Sequence, residues 1–296
     1  MTSPFLDYMK DRIVILDGAM GTELMKHGLV QGACPEALNK EKPEIVETVY
    51  KDYYKAGSDA VLTNSFGGSK IKLDSYGLSD QCYELNKTSA EIANAVRPSG
   101  KFIGGSMGPT GKFLKPQGEY SEEEFVDAYT EQARGLSDGK VDFLLIETQY
   151  DLREALCALR GSLKASPSLP VFLTLTFNKT PKGFYTVMGD SVSGFVDEIK
   201  TQDVKAIGSN CTLDSEDMID LIMQFRQGTD LPLIAQANAG QPILDKNNRL
   251  VYSQNKEEYT RHIPKIIENG ATIIGGCCGT DPSYISEIAE IIHKIS

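Results

Sequence analysis

The chain has 296 residues, 41% hydrophobic and 24% charged, a balance that excludes fibrous, collagenous and disordered classes. Its formal net charge of -11 argues against nucleic acid or an anionic membrane as partner, since both select basic surfaces. No apolar run is long enough to span a bilayer, and Met1–Met20 lacks the basic-then-apolar order of a signal peptide, so a cytoplasmic location is expected.

No linker, low-complexity tract or sequence repeat breaks the chain, which reads as a single domain over residues 1–296. Short, almost continuously apolar runs predict strands at Ile13–Asp17, Asp59–Thr63, Phe102–Met107 and Asp142–Glu147. Four more follow at Val171–Phe177, Lys205–Asn210, Pro232–Gln236 and Thr272–Gly276. Continuous rather than alternating hydrophobicity suits parallel strands covered on both faces. Helices lie between them. Ser121 with Glu124 forms a capping box ahead of Phe125, Tyr129 and Leu136. Asp190 precedes the stripe Val192, Phe195, Val196 and Ile199, and Asp214 precedes Met218, Leu221, Ile222 and Phe225. Asp281-Pro282 supplies an N-cap and an N1 proline before Ile285, Ile288, Ala289 and Ile292. Eight strands, each followed by a helix, predict a (β/α)8 TIM barrel. A doubly wound open sheet is the alternative, although Asp17-Gly-Ala-Met-Gly-Thr after the first strand is not a GxGxxG turn.

A barrel places its chemistry just past the C-terminal ends of its strands. Asp17-Gly18, Thr63-Asn64-Ser65, Gly108-Pro109-Thr110-Gly111 and Glu147-Thr148 occupy such positions. So do Gly208-Ser209-Asn210-Cys211, Asn238-Ala239-Gly240 and Gly275-Gly276-Cys277-Cys278-Gly279-Thr280. Turn residues end strands everywhere, but seven polar ends together suit an active-site mouth. Cys211, Cys277 and Cys278 fall at the ends of strands 6 and 8, on one side of that mouth. Three converging thiolates would make a zinc site with an open fourth position. Adjacent residues of a regular strand face opposite ways, so Cys277 and Cys278 require the unusual backbone angles that Gly275, Gly276 and Gly279 offer. Two other readings are three small buried hydrophobes and a strained vicinal disulfide. Cys157 reads as core, Cys82 as a helix opener and Cys34 as a loop residue before Pro35. His262 and His293 are expected on outer helix faces, and His27 at a helix C-terminus.

These motifs make the chain resemble, end to end, the homocysteine S-methyltransferase family, with the Asn210-Cys211 and Cys277-Cys278 pairs its most specific features. The resemblance implies a barrel that moves a methyl group to the thiol of homocysteine, with Cys211, Cys277 and Cys278 as zinc ligands. It further implies that Asp17 and Glu147 hold the substrate ammonium. The backbone at Gly18 and Ala19, with Thr63 or Asn64, receives the carboxylate, and Asn238 fills the fourth metal position before substrate arrives. Free thiols have pKa values of about 8.5, and zinc lowers that value so that the thiolate forms at neutral pH. No general base is then required, which suits the absence of a well-placed histidine.

Three donors are compatible with the resemblance. Betaine-using members build aromatic cages that include tryptophan, and this chain has none, although 13 Tyr and 11 Phe remain. S-methylmethionine serves other free-standing members. The motifs are most similar to the homocysteine domain of cobalamin-dependent methionine synthases, which implies a methylcorrinoid carried by a separate protein. Loops at Gly108–Tyr120, Asn178–Gly189 and Ala239–Gln254 are long enough to form an open rim for such a partner. Two readings of other classes are a non-catalytic zinc- or thiol-binding module of a methyl-transfer complex, and a barrel enzyme of unrelated chemistry.

Overall fold

The computed structural model describes residues 3–244, 246 and 250–295. Its eight-stranded parallel sheet comprises β1 (Val14–Ile15), β2 (Ala60–Leu62), β3 (Phe102–Met107), β4 (Phe143–Gln149), β5 (Val171–Leu175), β6 (Ala206–Asn210), β7 (Leu233–Ala237) and β8 (Ala271–Gly276). The first strand pairs with the last, Val14 beside Ile273, and every other neighbour pair runs in chain order from β2 to β8. That order excludes the doubly wound sheet and leaves one seam, between β1 and β2. One backbone and two side-chain hydrogen bonds bridge it: Asp59 N–H donates to Ile15 O (2.7 Å), Ile15 N–H donates to Asp59 Oδ2 (3.0 Å), and Leu62 N–H donates to Asp17 Oδ2 (2.8 Å). The result is a nearly closed (β/α)8 TIM barrel ringed by helices.

The period-2 alternation of strands sorts the residues into two apolar layers. Ala60, Leu62, Phe143, Leu145, Phe172, Ala206, Ile234 and Ile273 fill the barrel interior, whereas Val61, Leu144, Ile146, Leu173 and Ile207 pack outward against helices. The helix Pro4–Tyr8 plugs the bottom of the barrel: Phe5 is fully buried and stacks on Phe143 with ring centroids 4.3 Å apart. Counting up from the interior residues, Ser106, Glu147, Thr174, Asn210 and Gln236 share the inward parity one layer higher. All are buried, so a polar storey sits on the apolar one, at the mouth.

Several sequence expectations change in detail. The Ser121 capping box and the Asp214 N-cap form as expected, and Asp281 Oδ1 accepts from Ser283 N–H at the start of the last helix. Asp190 is not the cap of its helix: Ser191 is, accepting from Gly194 N–H, while Asp190 binds the Leu152 amide and the Thr186 hydroxyl. Two of the expected loops contain antiparallel hairpins, Asn178–Thr180 with Gly183–Tyr185 and Pro242–Leu244 with Leu250–Tyr252. The tip of the second, part of the expected loop Ala239–Gln254, lies outside the described residues. His262 is not on an outer helix face: it precedes the helix Ile263–Glu268, half-buried, with Nδ1 2.8 Å from Ser215 Oγ. No described helix is long and apolar enough to cross a membrane.

Candidate functional site

A cavity of about 390 Å³ opens at the C-terminal mouth, and its walls include Asp17, Gly18, Ala19, Thr63, Asn64, Glu147, Cys211, Cys277 and Cys278. Asn238, the remaining expected site residue, is buried just behind the mouth, its N–H donating to Leu213 O (2.9 Å) and its Oδ1 without a partner among the described residues.

The three cysteines arrive by different routes. Cys211 follows β6, where its N–H donates to Gln236 O (3.0 Å) and the backbone turns sharply, with φ of 64° at Cys211 and 60° at Thr212. Left-handed geometry is costly for a β-branched residue, and residues held there cluster at functional sites. Cys277 follows β8 and donates its N–H to Ala237 O (2.8 Å), while Cys278 O accepts from Ala239 N–H (2.9 Å). Of the glycines expected to relax this turn, only Gly279 has a positive φ, 83°. Gly275 and Gly276 serve close packing instead: a Cβ on Gly276 would lie 2.3 Å from Thr280 Oγ1. The sulfurs of Cys211, Cys277 and Cys278 lie within 4.8 Å of one another, and those of Cys211 and Cys278 are 3.8 Å apart. A tetrahedral shell with Zn–S of about 2.3 Å spaces its sulfurs by about 3.8 Å, so this donor set fits a zinc ion. Cys34, Cys82 and Cys157 are buried elsewhere, which was expected of Cys157 alone.

Two carboxylates line the same cavity. Asp17 is buried, with Oδ2 on the Leu62 amide and Oδ1 lacking any partner among the described residues. Burial pushes its pKa well up, opposed by the Leu62 hydrogen bond and reinforced by the nearby Glu147 charge. Glu147 accepts hydrogen bonds from Ser106 Oγ on one oxygen and from Asn210 Nδ2 (3.1 Å) on the other. Burial raises its pKa to about 7, against the lowering effect of Ser106. Asn210 ties both halves of the site together: its Oδ1 accepts from Thr148 N–H (2.7 Å) and Thr174 Oγ1 (2.8 Å). Its Nδ2 lies 3.8 Å from Cys277 Sγ. A partnerless carboxylate oxygen beside a second, satisfied carboxylate is a socket for a cation.

The expected carboxylate contacts are partly committed to the chain itself. Ala19 N–H reaches Thr280 Oγ1 at 3.3 Å, and Thr63 Oγ1 accepts from Ser106 N–H (3.0 Å) and lies 2.5 Å from Ser65 Oγ. Asn64 Nδ2 donates to Pro35 O (2.8 Å) and Asn39 Oδ1 (2.9 Å). Gly18 is held against Tyr53 and Thr280, since a Cβ there would lie 2.7 Å from Thr280 Oγ1. Sequence reasoning assigned no role to Ser106, Gln236 or Tyr252, all of which line the cavity. A polar residue at inward parity within an apolar strand marks the first two. No local signal marks Tyr252.

Comparison with known proteins agrees with this geometry. The profile of the homocysteine S-methyltransferase family matches residues 14–292. Methionine synthase of Mycobacterium tuberculosis is 32% identical over 98% of this chain, and that of Mycobacterium leprae 31% over 98%. The chain spans 25% of the length of each of these relatives. Among solved structures, the metallated form of the homocysteine methyltransferase MmuM from Escherichia coli superposes with a TM-score of 0.80 at 25% identity, covering 97% of this chain and 98% of that one.

Proposed function

Since the chain belongs to the homocysteine S-methyltransferase family, we propose that its barrel transfers a methyl group to the thiol of homocysteine, yielding methionine, at a zinc site formed by Cys211, Cys277 and Cys278. One observation carries the reading: the cavity is lined both by three converging sulfurs and by Asp17, one of whose carboxylate oxygens has no partner among the described residues. Zinc, when bound, lowers the pKa of a coordinated thiol and so supplies a thiolate at neutral pH.

The residues of the chain do the rest. Asp17 Oδ1 and Glu147 receive the substrate ammonium, and Ser106 and Asn210 hold Glu147 in place for it. Gly18 and Ala19, with Thr63 and Asn64 behind them, form the wall against which the substrate carboxylate lies. Anchored at that end, homocysteine extends its side chain toward the three sulfurs. Asn238, whose buried Oδ1 has no partner among the described residues, is assigned to the fourth metal position before substrate binds.

For the donor, we favour a methylcorrinoid presented by a separate protein. The likeness to methionine synthases over almost the whole chain supports this reading. So do the apolar residues exposed on the loops around the mouth, among them Phe66, Phe113, Val187, Met188, Ile243 and Leu244. S-methylmethionine is the second reading, favoured by the end-to-end match to a free-standing homocysteine methyltransferase. The test begins with elemental analysis of protein purified without added metal or chelator. About one zinc per chain, lost in Cys211→Ser, is expected. Methionine formation is then followed with methylcobalamin, free or protein-bound, and with S-methylmethionine. Turnover with S-methylmethionine alone would replace the corrinoid reading, and zinc indifferent to Cys211→Ser would remove the thiolate mechanism.

A further inference from the structure

Most of the polar storey at the mouth is committed to itself. Ser106 and Asn210 donate to Glu147, and Thr174 donates to Asn210. Two oxygens stand apart. Asp17 Oδ1 and Gln236 Oε1 have no partner among the described residues, although both residues are buried and both line the cavity. The proposed function already uses the Asp17 oxygen. It leaves the Gln236 amide without a task.

The barrel sets Gln236 between the two carboxylates. It lies in register with Asn210 of β6 on one side and with Gly275 of β8 on the other, so ladders fix its backbone on both flanks. On the first side, Asn210 Nδ2 contacts Glu147 at 3.1 Å. On the second, a Cβ on Gly275 would lie 2.9 Å from Asp17 O and 3.2 Å from Gln236 Cγ. Because that residue is glycine, β8 places no side chain between Gln236 and Asp17. Around the floor of the cavity the order is therefore Glu147, Gln236, Asp17.

An ammonium group carries three N–H donors, and burying it leaves each in need of an acceptor. Asp17 and Glu147 supply two. A neutral amide oxygen suits the third place, since another carboxylate would add repulsion to a cavity that already holds two acids and three thiols. Building on the proposed function, we propose that Gln236 is the third acceptor of the substrate ammonium, and thereby a specificity-determining residue that selects α-amino thiols over thiols lacking the amine. A buried oxygen without a partner destabilises the empty protein, and a ligand that supplies the missing donor recovers that loss.

Methionine and two analogues test this without turnover: the amine left when methionine loses its carboxylate, and the acid left when it loses its amino group. Their affinities for the unsubstituted chain, Gln236→Met and Gln236→Leu are measured by isothermal titration calorimetry, the analogues by displacement of methionine. Gln236→Met keeps the shape of glutamine without the amide. It is expected to bind methionine and the amine about tenfold more weakly, and the acid equally well. Its melting temperature without ligand is expected to hold or rise, because the substitution removes an unpartnered buried oxygen. Gln236→Leu, of different shape, should show the same selectivity. Equal methionine affinity in all three proteins would overturn the proposal. So would a loss confined to the acid, which would give the amide to the carboxylate, or a lowered melting temperature in both variants, which would make the amide a structural element. An unsubstituted chain that binds no methionine refutes the proposed function as well, whereas normal binding indifferent to Gln236 refutes this inference alone.

Discussion

Glu147→Gln isolates the charge of one carboxylate from its shape. Methionine is a suitable ligand because it carries the ammonium and carboxylate of homocysteine and has no thiol proton of its own. Removing one partner of a buried, hydrogen-bonded charge pair costs about 2–5 kcal/mol. Asp17 stays in place to share the ammonium, so the low end applies, about 2 kcal/mol or roughly 30-fold in affinity. That full ratio is expected only where Glu147 is ionised. With its pKa raised by burial to about 7, the unliganded carboxyl is mostly ionised at pH 8 and mostly protonated at pH 6. At the lower pH the wild-type side chain is nearly as neutral as glutamine, and a tenfold loss in the ionised fraction shrinks the ratio to roughly threefold. Taking the ratio of the two proteins cancels the titration of Asp17, which both retain. Isothermal titration calorimetry with methionine from pH 6 to pH 8 measures it. The same shift works against the empty protein: a carboxyl whose folded pKa lies above its unfolded value contributes stability below the unfolded pKa and loses it as pH rises through about 7. The melting temperature of Glu147→Gln relative to wild type should therefore climb between pH 5 and pH 8. A wild-type-to-variant affinity ratio that does not change with pH would refute the assignment of Glu147 as an ionised ammonium anchor.

Three further substitutions test other parts of the molecule. Cys278→Ala is expected to abolish zinc retention and methyl transfer with little change in circular dichroism or melting temperature, because the side chain lies at the mouth and outside the core; near-normal turnover would exclude it as a ligand. Gly279→Ala combines a φ of 83° with a Cβ 2.3 Å from the Tyr252 ring, so a loss of more than about 1 kcal/mol by urea unfolding is expected. Phe143→Ala removes a ring packed 4.3 Å from Phe5 and 4.9 Å from Phe172 at the bottom of the barrel, and should cost about 3–5 kcal/mol while leaving metal content unchanged in the folded fraction.

The barrel was legible because strands buried on both faces read as continuous apolar runs, and each run predicted from the sequence overlaps an observed strand. The ends of those strands pointed to the mouth, and Asp17, Glu147, Cys211, Cys277 and Cys278 do line one cavity. What escaped was set by contacts distant in sequence. Asp190 and Ser191 are adjacent residues with equal capping chemistry, and only the pull of Leu152 N–H and Thr186 on Asp190 leaves the cap to Ser191. The hairpin strands Asn178–Thr180 and Gly183–Tyr185 are short and largely exposed or half-buried, so no alternation announces them. The positive φ of Cys211 reflects a turn in which Leu213 N–H reaches back to Cys211 O (2.7 Å), and neither residue type predicts it. Tyr252 reaches the cysteine loop, against Gly279, only because the hairpin folds back over the end of β8.

Asp17 shows how the architecture divides its labour. On the side of the three sulfurs, β6, β7 and β8 are joined by ladders that stay in register up to the mouth, Ser209 beside Ala235 and Gly276 beside Ala237. Coordination tolerates errors of only about 0.2 Å, so the sulfurs belong on this rigid half. On the other side, β1 has two residues and forms no ladder with β2; the seam there is held by Asp59 and by Asp17 Oδ2 on the Leu62 amide. Recognition of an ammonium by charge falls off slowly with distance and survives small displacements. The seam can therefore carry the anchoring carboxylate where it could not carry a metal ligand. One oxygen of Asp17 closes the barrel and the other, without a partner among the described residues, is the one proposed for the substrate ammonium, so the same residue would serve both the fold and the site.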